Sequence, residues 1–180
     1  NSCMANESKE CLLQDIILSI QAKKMENLMK ELYVVEQDVV HALERIEAEQ
    51  NDSYYDIWHF EIDRKAISKQ ILICRFEDFF RIWEMLTTKS IEKSVRFILR
   101  QDENERYWMV VEDKELLLSV YERLSKLRKS AFYQKLVKKP GYRYTTGYES
   151  DIKETLKRMK TAIGQAIAMD GSLFMLIQRF

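Results

Sequence analysis

"LMKELYVVEQDVVHALERI", residues 28–46, is the stretch on which the reading of the fold turns. Leu28, Leu32, Val35, Val39, Ala42 and Ile46 recur at alternating steps of four and three, the spacing of a coiled-coil seam, and all six are apolar. Residues 8–49 contain neither Gly nor Pro, so the pattern predicts one long helix there, or two joined smoothly. Carried backwards, the register meets Met25, Gln21, Leu18 and Gln14 and weakens, while Leu13, Ile16, Ile17 and Ile20 form a stripe of their own. The helix is therefore expected to change partner near residue 22. At 1.5 Å per residue, about 40 residues would run about 60 Å, longer than a compact domain of this size. The exposed seam, Leu28, Leu32, Val35, Val39 and Ile46, is the expected contact with a protein partner or with a second copy, which predicts a homo-oligomer.

Downstream the period changes. Trp58, Phe60 and Ile62 alternate with His59, Glu61 and Asp63, as in a half-buried strand, and "QILICRF" (70–76) is its expected neighbour. "EDFFRIWEML" sets Phe79, Phe80 and Trp83 on one helical face, with Asp78 as the expected N-cap. "SVRFILRQ" and "ERYWMVVE" flank residues 102–105 as a hairpin with a polar turn. "KELLLSVYERLSKL" predicts a helix with Leu116, Leu117, Val120 and Leu124 inward. Ser150 opens another whose inward stripe is Ile152, Leu156, Met159, Ile163 and Ile167, with Gly171 at its end. "SLFMLIQRF" is apolar on both faces and reads as a buried strand. The resulting expectation is a helix-rich α+β chain: a coiled-coil-like helix over 1–50, then a small mixed or antiparallel sheet packed with helices over 51–180. The alternative is an all-α bundle, in which 90–101 and 172–178 become helix.

The composition supports long elements. Four Gly and one Pro among 180 residues fall well below the usual shares of roughly 7% and 5%. With 46% hydrophobic residues the chain can bury a core without a metal or disulfides, although 32% charged is above the ordinary quarter. Cys3, Cys11 and Cys74 are an odd number without C-x-x-C spacing, which speaks against a disulfide framework and a zinc site and predicts an intracellular, cytoplasmic setting. The sequons Asn6-Glu7-Ser8 and Asn51-Asp52-Ser53 keep a secreted helical ligand or a viral surface fragment as an alternative. No apolar run reaches the length of a membrane span.

The formal charge of zero hides a gradient. Lys and Arg minus Asp and Glu is 5 − 12 for residues 1–60, 11 − 12 for 61–120 and 13 − 5 for 121–180. The basic end is concentrated in "RLSKLRKSAFYQKLVKKPGYRYTTGYES", residues 123–150, where eight Lys or Arg precede the first acid, Glu149, with aromatics interleaved. Such a segment fits an acidic protein surface; its Lys, Arg and Tyr also fit the phosphates and unpaired bases of nucleic acid. The candidate anion-binding residues are Arg128, Lys135, Lys138, Lys139, Arg143 and Tyr144, within a basic segment extending to residue 160.

Catalytic chemistry has little to stand on. Glu112-Asp113-Lys114 after an apolar strand is the pattern of a metal-dependent nuclease, but Asp102, at the hairpin turn, would lie about 23 Å from Glu112 at 3.3 Å per residue. An acid pair starting the next helix explains the same residues. His41 and His59 have no second ligand at metal spacing, no serine sits in a G-x-S-x-G elbow, and no phosphate-binding glycine loop occurs. No cofactor is expected. The expectation is a non-enzymatic interaction module, an adaptor, regulator or assembly component, with nucleic-acid binding as the alternative.

Overall fold

The computed structural model describes residues 28–49, 61–74, 76–89, 96–97, 107–139 and 148–179. Its strands are β1 (Leu28–Val35), β2 (Ser68–Leu72), β3 (Arg96–Phe97), β4 (Tyr107–Val111) and β5 (Ser172–Arg179). The helices are α1 (Gln37–Glu49), α2 (Phe76–Thr87), α3 (Lys114–Lys126), α4 (Lys129–Val137) and α5 (Tyr148–Ala168), and 61–65 form a short helical segment. The chain is a helix-rich α+β protein. The all-α alternative fails because 172–179 pair as a strand across their whole length.

The sheet runs β2-β1-β5-β4-β3, antiparallel at every join. Residues 28–35, expected to be half of a helical seam, are instead an interior strand held between β2 and β5. The physical reason lies in Leu32-Tyr33-Val34-Val35: four consecutive apolar side chains wrap all sides of a helix, but alternate cleanly between two buried faces of a strand. Helix is regained only at Gln37, in α1; residues 8–27 lie outside the described residues. Since β1 is integral to the sheet, the boundary expected near residue 50 does not separate two units there.

Alternation along the strands builds two cores. Leu32, Val34, Met109, Val111, Leu173 and Met175 point to the side covered by α2, α3, α4 and α5. Tyr33, Val35, Val110, Phe174 and Leu176 point to the other side, against Val39 and Val40 of α1 and Ile62. The larger core is filled: the gap between Leu32, Trp83, Met109, Met159 and Met175 holds about 10 Å³, room for at most about one water.

The helices follow their apolar stripes. In α3 the inward residues are Leu116, Leu117, Val120 and Leu124, and Asp113 caps the start by accepting from the Glu115 and Leu116 amides at 3.0 and 3.2 Å. In α5 Ile152, Leu156, Met159 and Ile163 are buried, and Ile167 packs against them partly exposed. Some ends differ from expectation. Asp78 lies inside α2, fully buried, with the Arg81 guanidinium 3.2 Å from it. Ser150 lies in the first turn of α5, which begins at Tyr148. Residues 61–65, expected at the end of a strand, are helical. The β3–β4 pairs Arg96↔Val110 and Phe97↔Met109 agree with a hairpin about residue 103, although 98–106 lie outside the described residues.

Gly171 is needed one step beyond the place its sequence position implies. The left-handed residue closing α5 is Asp170 (φ 52), while the Asp170 and Gly171 amides return to the Ile167 and Ala166 carbonyls at 3.3 and 2.8 Å. A methyl at Gly171 would lie 2.5 Å from the Val35 carbonyl oxygen, a backbone atom locked in the sheet. At Gly164 it would lie 3.0 Å from the Tyr121 ring edge, a partly exposed side chain able to shift. Gly171→Ala is therefore expected to cost about 1–3 kcal/mol by overpacking. Gly164→Ala should be neutral or should gain up to about 1 kcal/mol from helix propensity. Urea unfolding of both variants measures the contrast.

Candidate functional site

The described side chains of the expected seam are inside the molecule. Leu32 is 4% exposed in the larger core, and Val35 and Val39 are 0% and 6% exposed in the smaller one. Leu28 is in β1 and Ile46 in α1, their side chains outside the described residues. Side chains spent on two different cores of their own fold offer no common face, so the seam is withdrawn as a partner-binding surface.

The nuclease pattern is likewise used structurally. Asp113 caps α3, and the Lys114 ammonium pairs with Asp170 at the end of α5. Gln37 Nε2 donates to Glu112 Oε2 at 3.4 Å, and Ser172, fully buried, donates to Gln37 Oε1 at 2.8 Å. The three residues of the motif thus point to three different elements. Among the described residues no group of three or more His, Cys, Asp or Glu is placed to hold a metal. His41 lies on an exposed part of α1, 3.6 Å from Glu44; His59, Cys3, Cys11 and both sequons fall outside the described residues.

The basic segment is brought onto a surface. Arg123 and Lys126 end α3, and Arg128 stands at the start of α4 with extended backbone (φ −87, ψ 117). Lys135, Lys138 and Lys139 follow on the last turn and just beyond it, where the Lys139 amide bonds the Leu136 carbonyl at 3.0 Å. The helix buries Phe132, Tyr133 and Leu136 and leaves Arg128, Lys135, Lys138 and Lys139 exposed. Arg128 precedes α4, Lys135 lies in its last turn, and Lys138 and Lys139 follow it, so the exposed cations bracket the helix. Arg143 and Tyr144 lie outside the described residues.

Tertiary packing adds what the segment alone does not show. Arg123 Nη1 donates to the Met85 carbonyl at 3.4 Å, tying the end of α3 to the end of α2. Between these helices and α4 runs a groove of about 360 Å³ lined by Met85, Leu86, Leu127 and Phe132, with Glu122, Arg123 and Lys126 at its rim. Met85 joins it to an open depression lined by Glu84, Thr88, Lys89 and Lys139. Lys89 is set by a strained helix end: Thr88 has φ 56, unusual for a β-branched residue. The Thr87 hydroxyl holds the turn, donating to the Trp83 carbonyl at 2.8 Å and accepting from the Lys89 amide at 3.2 Å. Lys89 could not have been linked to residues 123–139 by sequence; only the α2–α3 packing joins them.

A second polar cluster lies on the other face of the sheet. Glu31, 2% exposed, accepts from the Tyr33 hydroxyl and pairs with Lys69 Nζ at 3.2 Å, with Asp63 3.9 Å from the same ammonium. Lys69 is the cross-strand neighbour of Tyr33 and sits 5.4 Å from its ring centroid. The buried carboxylate is satisfied by these partners, so the cluster reads as a lock between β1 and β2.

No protein-family model matches the chain, and no curated protein matches it. A solved structure described as a protein of unknown function, YfbM from Escherichia coli, is similar over 83% of this chain and 99% of its own, with 12% identity and a TM-score of 0.48. That likeness assigns no activity. No helix among the described residues is long and apolar enough to cross a membrane.

Burial, and then the hydrogen bond to Glu31, hold the Tyr33 phenol far above its ordinary range. In the unfolded chain it titrates near about pH 10. Its contribution to stability is therefore complete below that pH and is lost as the pH rises further, where the unfolded state releases a proton that the folded state keeps. Denaturant unfolding from pH 8 to 11 should show a falling alkaline limb, and Tyr33→Phe, which keeps the ring under Lys69, should flatten it. An equally steep limb in the variant would assign the loss to other groups.

Proposed function

We propose that the chain is a non-enzymatic protein-interaction module, an adaptor, regulator or assembly component, that meets an acidic protein surface through the cationic face of α3 and α4. One observation carries this reading. Seven Lys or Arg and no acid lie between Arg123 and Lys139, and Lys126, Arg128, Lys129, Lys135, Lys138 and Lys139 pair with no acid among the described residues. Several cations elsewhere are matched, Lys69 with Glu31, Lys114 with Asp170, Lys153 with Glu149 and Arg158 with Glu154, whereas this run gathers its unmatched cations in one stretch. Like charges left together raise the self-repulsion of the folded state, a cost that an oppositely charged partner removes on binding.

The exposed Arg128, Lys135, Lys138 and Lys139, on α4 and at its two ends, also suit a second reading, contact with nucleic-acid phosphates. The aromatics of α4 do not favour it, because Phe132 and Tyr133 are 9% and 2% exposed and offer no free ring face for base stacking.

The test compares poly-glutamate with a labelled single-stranded oligonucleotide. Poly-glutamate should bind at physiological salt, weaken as salt rises, and be lost when Lys135, Lys138 and Lys139 are changed to Glu. Lys157→Glu, on exposed α5, should leave binding unchanged. Oligonucleotide retention with log affinity falling by about 0.7 per neutralised phosphate for each log unit of salt, alongside no response to poly-glutamate, would move the surface to nucleic acid.

A further inference from the structure

We propose that the groove between α2, α3 and α4 receives one face of an acidic amphipathic helix supplied by a protein partner. This rests on the interaction reading above and names the partner's chemistry.

Shape and lining set the binding mode. The groove holds about 360 Å³ between helices, within the range of about 300–1,000 Å³ found for ligand sites. The strands at the ends of the sheet are β2 and β3, and neither lines it, so no main-chain ladder is offered to an extended peptide. What it offers is apolar side chains. Leu86 and Phe132 are buried at the base, while Met85 and Leu127 are partly exposed along the walls. An unbranched Met adapts to incoming side chains of differing shape. A helix carrying apolar residues three and four apart delivers them into such a trough without unsatisfied backbone groups.

Charge selects the partner. Lys89, Arg123, Lys126 and Lys139 surround the groove and the depression continuous with it, against Glu84 and Glu122. The remaining cations of α4 extend the same sign beyond the rim. An apolar face flanked by Asp and Glu meets both features together; a phosphate backbone would leave the apolar walls covered by charge. The turn at Thr87 and Thr88 also fits the role, since the strained residue and the hydroxyl that holds it fix Lys89 at the edge of the site.

The experiment is selection of a random-peptide display library against the folded chain, followed by affinity measurement on the enriched peptides. Enriched sequences should combine Asp or Glu with Leu, Ile, Phe or Met at three- or four-residue spacing. Their affinity should fall about tenfold or more in Leu127→Asp and in the exposed pair Lys126→Glu with Lys139→Glu. Thermal unfolding checks the fold of Leu127→Asp; should that variant be unfolded, Met85→Asp, on the partly exposed wall of the same groove, takes its place. Enrichment for acid alone, lost in Lys135→Glu with Lys138→Glu but indifferent to Leu127→Asp, would keep the cationic surface and overturn the groove. No enrichment overturns both. A dimer by light scattering that Lys126→Glu dissociates, with no peptide enriched, would hand the groove to a second copy and overturn the proposal.

Discussion

Everything in this chain depends on the ladder between β1 and β5. Eight residue pairs run from Leu28↔Arg179 to Val35↔Ser172, joining the first described element to the last. Because both faces of this pair are buried, its register is fixed by two cores at once. A slip by one residue would turn Tyr33 and Val35 into the larger core and send Leu32 and Val34 the other way. The close approach of Gly171 to the Val35 carbonyl fixes the same register from the end of α5.

From that ladder the position of the basic surface follows. α5 crosses the face of the sheet, with Ile152, Leu156, Met159 and Ile163 inward, and α3 and α4 pack on it with α2. Apolar stripes thus determine which sides of α3 and α4 face out. With Leu116, Leu117, Val120, Leu124, Phe132, Tyr133 and Leu136 all turned inward, the cations between them have no place but the outer face. The charged surface is a product of core packing and needs no dedicated loop.

How far the sequence could be read depended on whether a signal was local. α3 and the body of α5 were legible, since their periods are regular and each has a clear boundary signal, Asp113 or Gly171, whereas β5 was read as a strand from a short run apolar on both faces that also allowed a helix. β1 was hidden by coincidence: Leu28, Leu32 and Val35 satisfy a heptad as well as a strand, and no Gly or Pro marks the change at Glu36. The deciding signal was the unbroken run 32–35, rich in β-branched and aromatic residues, which a surface helix would have to expose on one side. The capping reading of Asp113 was legible for the same local reason. For the candidate site, Arg128, Lys135, Lys138 and Lys139 were legible because charge density is a property of contiguous sequence. Met85 and Lys89 were not, for they join the surface only when α2 packs beside α3.

The contrast between the two polar clusters gives the surface its meaning. At the β1–β2 join each charge has a designated partner: Lys69 serves Glu31 and the Tyr33 ring together, and Asp63 stands close by. A buried carboxylate left without such partners would cost several kcal/mol, so the matching there is demanded by folding itself. On α3 and α4 the cations stand in water, where screening over about 8 Å at physiological salt makes their mutual repulsion bearable but leaves it unfavourable. Folding alone would be served as well by neutral polar residues at Lys126, Arg128, Lys135, Lys138 and Lys139. Their shared sign, the apolar groove beside them and the strained turn that sets Lys89 converge on one surface, and the proposed acidic partner with an apolar face would make all three favourable at once.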